Sequence, residues 1–539
     1  MKIRSVDALE EELKISLTNP HTSNNMKNAV LMAEKILEVK KNSNYALYTM
    51  ALHEVCVANK VAPMADYSKA IENFKKIIKL DPKFIEAYLM LAKVYRETDR
   101  QKEYELLLEA HKQFPDHYLI MFDLANLMCF KTGEKEKGLE LFVKCVQKLP
   151  QVDTAWAALG SAYLLNRNLE MALKCFETSL AINPDNLTST LGVGVYNFEH
   201  ANFKKAREYY EKSLMINKDS FWATFNISLL DLLEDDYENG LRVYEQRDKD
   251  QFLKKYGGSE YPEITLEEVQ KNTNQKIIVL REQGFGDDVM FSRYLKPFKN
   301  LGYEVHYACP PELIEFFKLS PDLDGINVSS HIDPDHFHYR TFLMSLPWIT
   351  SKFIKNKINK PINIDWKRFN DKKVNISSRI KSLLTSKKLK VGFAWSGRPT
   401  HLRDQVRTMD INHFDDLFKI KGADFFSLQK FSKNVDLKHM SKFKNVYNCE
   451  NDLKDFLHTA FLIKEMDVIM TIDTSLVHLA GTLGKKTFLF LPLVPDYRWG
   501  LNKKQDWYPT VNLLRQDKID DWSQPIKSAV KALKKLSSR

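Results

Sequence analysis

Two short stretches in the second half of the chain carry side chains suited to chemistry. The first is "KIIVLREQGFGDDVMFSRYL", residues 276–295, an apolar strand that runs through a glycine turn into an amphipathic segment. Strand, glycines and helix in that order open many nucleotide sites, yet this turn lacks their fingerprints. A dinucleotide turn needs a third glycine three residues after Gly286, where Val289 stands. The Gly-Lys-Ser/Thr ending of a P-loop is missing too. Asp287 and Asp288 instead occupy the start of the following helix and suit its dipole themselves. A phosphate placed there would meet two carboxylates, whose repulsion outweighs a helix-end attraction of ~0.3 to 2 kcal/mol. The turn built on Gly284 and Gly286 therefore offers a carboxylate, not a phosphate cradle.

The second stretch, "DVIMTIDTSLVHLAGTLGKKT", residues 467–487, is the better cradle. A buried strand is expected to end at Ile472, and a helix starts almost at once. Thr474 and Ser475 offer hydroxyls and free backbone N–H groups at the helix N-terminus. His478 lies one turn along and leans back toward that end. Asp473 can cap the helix and leave donors over for an anion. A capped helix with a buried histidine is the plainer alternative.

Taken together, a carboxylate at one strand-to-helix turn and an anion site at another suit transfer from a nucleotide-activated donor. Asp287 would deprotonate an acceptor hydroxyl, and the diphosphate would leave into the second site. Fixed donors and cations would neutralise the phosphates, so neither a metal nor a cofactor is expected. Asp322 and Asp324 form a DxD, but within "SPDLDGINV", which reads as a turn. "HIDPDHFHYR", residues 331–340, is the other metal candidate.

These residues must be positioned by larger elements. From about residue 276 apolar runs alternate with helical patterns: "KIIVL", "EVHYAC", "LKVGFAW", "DFFSL", "VIMTI" and "KTFLFL". Flush apolar runs predict strands covered on both faces of a mostly parallel sheet. The length suffices for two open α/β units, expected at 276–375 and 376–539, with a lysine-rich crossover between them. Before them, residues 251–275, which contain "KKYGGSEYPEITLEEVQKNTNQ", read as a linker or wrapped connection. Further upstream Pro82, Pro115, Pro150 and Pro184 recur at intervals of 33, 35 and 34 residues. In the clearest unit, residues 154–187, Trp156, Leu159, Gly160 and Tyr163 share one expected helix, and Ala172, Phe176 and Ser179 the next. The following unit repeats the pattern with Gly194, Ala206, Tyr210 and Ser213. Small residues where two helices cross, with large ones beside them, build a helical hairpin. Residues 30–250 read as tetratricopeptide repeats, a solenoid with a peptide-sized groove, preceded by a cap helix over 1–29.

Composition limits the function classes. The net charge of +10 comes mainly from scattered lysines, with no arginine-rich stripe, so nucleic acid is not an expected partner. No apolar run reaches the ~18 to 20 residues of a membrane span, though peripheral membrane contact stays open. Six dispersed cysteines without a CxxC pair read as free thiols, and together with the lack of a signal-peptide pattern they suggest a cytoplasmic protein.

Seven motifs occur in one order: "REQGFGDDVMFSRYL", "LMSLPWI", "KVGFAWSGRPTHLRDQVRTM", "FSLQK", "MTIDTSLVHLAGTLGKKTFLFLP", "PDYRWG" and "DWYPTVNLLRQ". Together they resemble the C-terminal domain of bacterial tetratricopeptide-repeat glycosyltransferases, relatives of the heptosyltransferases of lipopolysaccharide synthesis. The resemblance implies a GT-B fold of two Rossmann-like units, inverting and metal-independent, with the acceptor near the first unit and the nucleotide sugar on the second. Asp287 falls on the family's glycine-aspartate position, held to be the base. Asp473, Thr474 and His478 fall on its Asp-Thr-Gly-x-x-His loop at the donor phosphates, with Ser475 in place of the glycine. Arg407, Gln429 and Lys430 fall on segments expected near the donor, and Arg398 and His401, in the loop after "FAWSG", are further candidates. His338 stands where relatives have an aspartate. Asp288 reads as a helix N-terminal charge, and Trp499 and Trp507 as packing residues.

The expected architecture is thus α plus α/β. The expected activity is transfer of a sugar to a hydroxyl of a protein acceptor held in the repeat groove. Two alternatives differ from it: a heptosyltransferase-like enzyme of lipopolysaccharide or capsule assembly, and an interaction scaffold whose transferase half is silent.

Overall fold

The computed structural model describes residues 6–18, 23–60, 66–271, 274–331, 337–354, 358–399, 401, 403–502 and 506–538. The chain divides into two compact units, 1–193 and 194–539.

The first unit is built of antiparallel helix pairs. Helices Asp153–Leu165 and Leu169–Ile182 show why the sequence folds this way. Gly160 is buried against the ring of Phe176, and a Cβ there would come within 2.6 Å of Phe176 Cε1. Only glycine lets the two helices cross so closely. The same device recurs one repeat later, in the second unit, where a Cβ on Gly194 would come within 2.5 Å of Tyr210 Cε1. The turn inside each hairpin repeats as well. Arg167, Ala201 and Asp235 all take left-handed backbone, φ 60°, 58° and 67°, at an exact spacing of 34 residues. Residues 1–29 hold helix Val6–Thr18 and the start of helix Ser23–Val39.

The second unit begins with the last hairpins, including helices Phe221–Leu233 and Tyr237–Tyr244. Two parallel sheets follow. The first contains β1 (Lys276–Leu280), β2 (Glu304–Ala308), β3 (Asn327–Ser329) and β4 (Tyr339–Phe342), in the order β3-β2-β1-β4. The second contains β5 (Leu389–Ala394), β6 (Ala423–Ser427), β7 (Val446–Asn448), β8 (Val468–Ile472), β9 (Thr487–Leu491) and β10 (Val511–Arg515), in the order β10-β9-β8-β5-β6-β7. All pairings between these strands are parallel.

The flush apolar strands are covered on both faces. Along β8, Val468, Met470 and Ile472 join one core, while Ile469 joins the other. The second of these cores also gathers Leu232 and Tyr244 of the last hairpin, Ile277 and Val279 of β1, and Val477 below β8. Within the expected linker, Tyr261 packs on Ile278, Leu280 and Phe342 of the first sheet, and Glu263 bridges Arg340 of β4. A buried ion pair fastens the last hairpin to the same sheet. Arg247 donates through Nε and Nη2 to Glu282, at 2.6 and 2.9 Å, immediately beyond β1.

Candidate functional site

Because all the strands of each sheet are parallel, their carboxyl ends lie along one edge, where ligands of open α/β sheets bind. β1 leads into helix Phe285–Phe291 and β8 into helix Ser475–Thr482. The two helices pack on each other at their N-terminal ends. A Cβ on Gly286 would come within 2.9 Å of His478 Cδ2 and 3.4 Å of Ser475 Cα. Gly286 therefore serves close approach of the two loops, and the two stretches singled out in the sequence meet.

Asp287 lies at this junction with both carboxylate oxygens engaged. Oδ2 accepts the N–H of Gly284 at 3.0 Å. Oδ1 accepts Arg498 Nη2 at 2.5 Å. Arg498 also donates through Nη1 to Asp496 Oδ1 at 2.7 Å, and its buried Nε has no hydrogen-bond partner. The guanidinium lies over the rings of Phe291 and Tyr497, 5.4 and 4.6 Å from their centroids. Neither Arg498 nor Asp496 stood out in the sequence. Both lie in "PDYRWG", one of the seven motifs, but neither was named there as a site residue.

Asp288 is not the solvated helix-end charge expected. It is 1% exposed, accepts Arg281 Nη2 at 2.9 Å and Tyr307 Oη at 2.6 Å. Burial pushes its carboxyl up to about 7 despite Arg281. One helical step rotates it away from Asp287 and into the core.

On the second sheet, Thr474 is the N-cap residue of helix Ser475–Thr482, with extended backbone and no side-chain capping bond. Its hydroxyl lies 3.5 Å from that of Thr471. Asp473 lies just before the cap position, so the expected capping role passes to Thr474, which leaves it unfilled. The carbonyl of Asp473 accepts Arg407 Nη1 at 2.7 Å, and Arg407 Nε pairs with Asp404 at 3.3 Å. Burial, reinforced by Asp496, raises the Asp473 carboxyl to about 6. His478 Nε2 stands 3.8 Å from Asp473, and its Nδ1 faces Tyr508 Oη at 3.2 Å. Burial first, then Arg498 and Arg293, push His478 down to about 3, so it is neutral at physiological pH. Its ring stacks on Trp499 at 5.5 Å. Trp499 and Trp507 are both buried.

The remaining candidates lie on neighbouring strand ends. Gln429, beyond β6, accepts the N–H groups of Trp395 and Ser396 through Oε1, which ties two adjacent strand exits together. Lys430 donates to the carbonyl of Leu453 at 2.8 Å. Arg398 is exposed. His401 accepts the N–H of Arg403 and feels the charges of Arg407, Asp496, Asp287 and Arg498. Partial burial, then Arg407, hold it below its ordinary range. His338 accepts the N–H of Lys276 at 3.2 Å, a contact that closes the start of β1.

Among the described residues no group of three His, Cys, Asp or Glu side chains is arranged to hold a metal. Asp322 pairs with Lys296 and Asp324 with Arg368, as turn residues do. Residues 332–336 of "HIDPDHFHYR" lie outside the described residues. All six cysteines are free thiols. No described helix is long and apolar enough to cross a membrane.

The tetratricopeptide repeat family matches residues 154–186. The clearest unit of the sequence is thus a tetratricopeptide repeat, set in a region of helical hairpins. No curated protein sequence matches the chain. Similar solved structures include MamA, 20% identical over 31% of this chain and 92% of that one, with a TM-score of 0.27. YrrB, described as a TPR protein with an unusual peptide-binding site, is 19% identical over 36% of this chain and 98% of its own, TM-score 0.30. Pseudomonas aeruginosa pilF is 15% identical over 42% and 99%, TM-score 0.35.

Proposed function

We propose that the chain is a metal-independent, inverting glycosyltransferase of the GT-B type. It passes a sugar from a nucleotide-activated donor to a hydroxyl of a protein acceptor held by the repeats. One juxtaposition supports this reading most. The carboxylate of Asp287 and the unfilled helix end at Thr474 and Ser475 meet where Gly286 lets two parallel-sheet units touch. In the reaction, Asp287 takes the acceptor's proton as the acceptor oxygen bonds to the anomeric carbon. The bond from that carbon to the diphosphate breaks on the opposite side. The leaving charge is received by N–H groups of the Ser475 helix and by Arg407 behind Asp473. His478, neutral, packs the floor of this site and adds no charge.

Asp287 can act as a base only when Arg498 lets go of Oδ1. An incoming diphosphate gives the Arg498 guanidinium an alternative anion to Asp287. The same ion pair favours a second reading, an interaction scaffold in which Asp287 is a structural residue. One variant separates them. Asp287→Asn should retain nucleotide binding and lose donor turnover, measured as nucleoside diphosphate release, by at least 100-fold, the scale of a lost general base. Unchanged turnover would remove Asp287 from the chemistry.

A further inference from the structure

We infer that Phe431 is a platform on which the base of the donor nucleotide stacks, an inference that rests on the nucleotide-sugar reading above. The first observation is conformational. Phe431 takes left-handed backbone, φ 58°, although it is neither glycine nor a small polar residue. Bulky side chains rarely adopt that region, and strain of this kind collects at ligand clamps. The second is exposure: the residue is 85% exposed, two positions after the buried Gln429, with Lys430 Nζ 6.0 Å from its ring centroid. The third is the anchor. Glu450 accepts the N–H of Phe431 at 2.7 Å and that of Ser432 at 3.4 Å, so a carboxylate fixes the backbone that holds the ring out.

Topology gives the ring its ligand. With the diphosphate at the Ser475 helix beyond β8, the nucleoside must extend along the sheet edge one way or the other. Toward β9 the edge is filled, because Val494, Tyr497 and Trp499 are buried there. Toward β5 and β6 it leads past Ser396 to the loop of Phe431. β6 lies two strand spacings from β8, ~10 Å, a distance suited to a base whose phosphates sit at the helix end. Every nucleobase has a π face, so an exposed ring at that point is a fitting receptor for one.

The test titrates the full-length protein with UDP, GDP, ADP, TDP and CDP, and with inorganic pyrophosphate, which has no base. The wild type is compared with Phe431→Gly and Phe431→Tyr. Glycine relieves the left-handed strain, so Phe431→Gly should melt at or above the wild-type temperature. It should keep its pyrophosphate affinity and lose roughly 5- to 100-fold in affinity for the preferred nucleotide, the range base–aromatic stacking spans. Phe431→Tyr should bind as the wild type does. Equal nucleotide affinity in wild type and Phe431→Gly would overturn this inference and leave the proposed function standing. Equal loss of pyrophosphate and nucleotide would overturn it as well. A wild type that binds none of the six would overturn the proposed function and this inference together.

Discussion

At the scale of single residues, neighbouring aspartates have opposite fates. Asp287 points to the junction of the two loops, and Asp288 points into the core against Tyr307 and Arg281. The difference has a measurable consequence. Folded Asp288 keeps its proton up to about pH 7, whereas an unfolded aspartate releases it near ~4. Between those values the folded state binds more protons, so this site's contribution to stability falls as pH rises from ~4 to ~7 and is level above. Asp288→Asn, which cannot ionise, removes the slope. The melting temperature of the wild type minus that of Asp288→Asn should therefore decline across that window. A difference that stays constant from pH 4 to 8 would refute the burial argument. Residue types and spacing singled out Asp287, Thr474 and His478 as candidates. Arg498 and Asp496 escaped because their meaning depends on a contact 211 residues away along the chain.

Among the elements, helix-to-helix approach controls the site. Gly286→Ala places a methyl against His478 and Ser475, neither of which can yield without moving its helix. Overpacking of that kind costs about 1–3 kcal/mol. The variant should melt lower and bind nucleotide more weakly, whereas Gly284→Ala, whose Cβ would meet only Asp287 at 3.7 Å, should cost less. Equal effects at the two glycines would contradict this geometry. The strands divide along the same physical line. β1, β2, β5, β6, β8 and β9 were legible as apolar runs. β3, β4, β7 and β10 were not, and these four are the edge strands of their sheets. An edge strand has one neighbour and less cover, so "NVS", "YRTF", "VYN" and "VNLLR" carry no flush apolar signal.

For the whole molecule, the division between compact units does not follow the division between repeats and sheets. Residues 194–250 are helical hairpins by sequence, yet they belong with the α/β region. The reason is the shared core of Leu232 and Tyr244 with β1, together with the Arg247–Glu282 pair. Repeat spacing reveals hairpins but not which neighbour buries their outer faces. A fragment of residues 257–539 would leave Glu282 buried without its arginine, a loss of about 3–5 kcal/mol for a broken buried pair. It should therefore be markedly less stable than a fragment starting at 187, as chemical denaturation would report. Equal stability would show that the last hairpins are dispensable.

If the edge holding Asp287 and Thr474 receives a nucleotide-activated sugar, the protein must bind the matching nucleotide. Thermal shift of the full-length protein with UDP, GDP, ADP, TDP, CMP and CDP, without added metal, should single out one nucleotide as a clear stabiliser. Thr474→Val should diminish that shift. A folded protein that none of the six stabilises would contradict the transferase account and leave the repeat region as the seat of function.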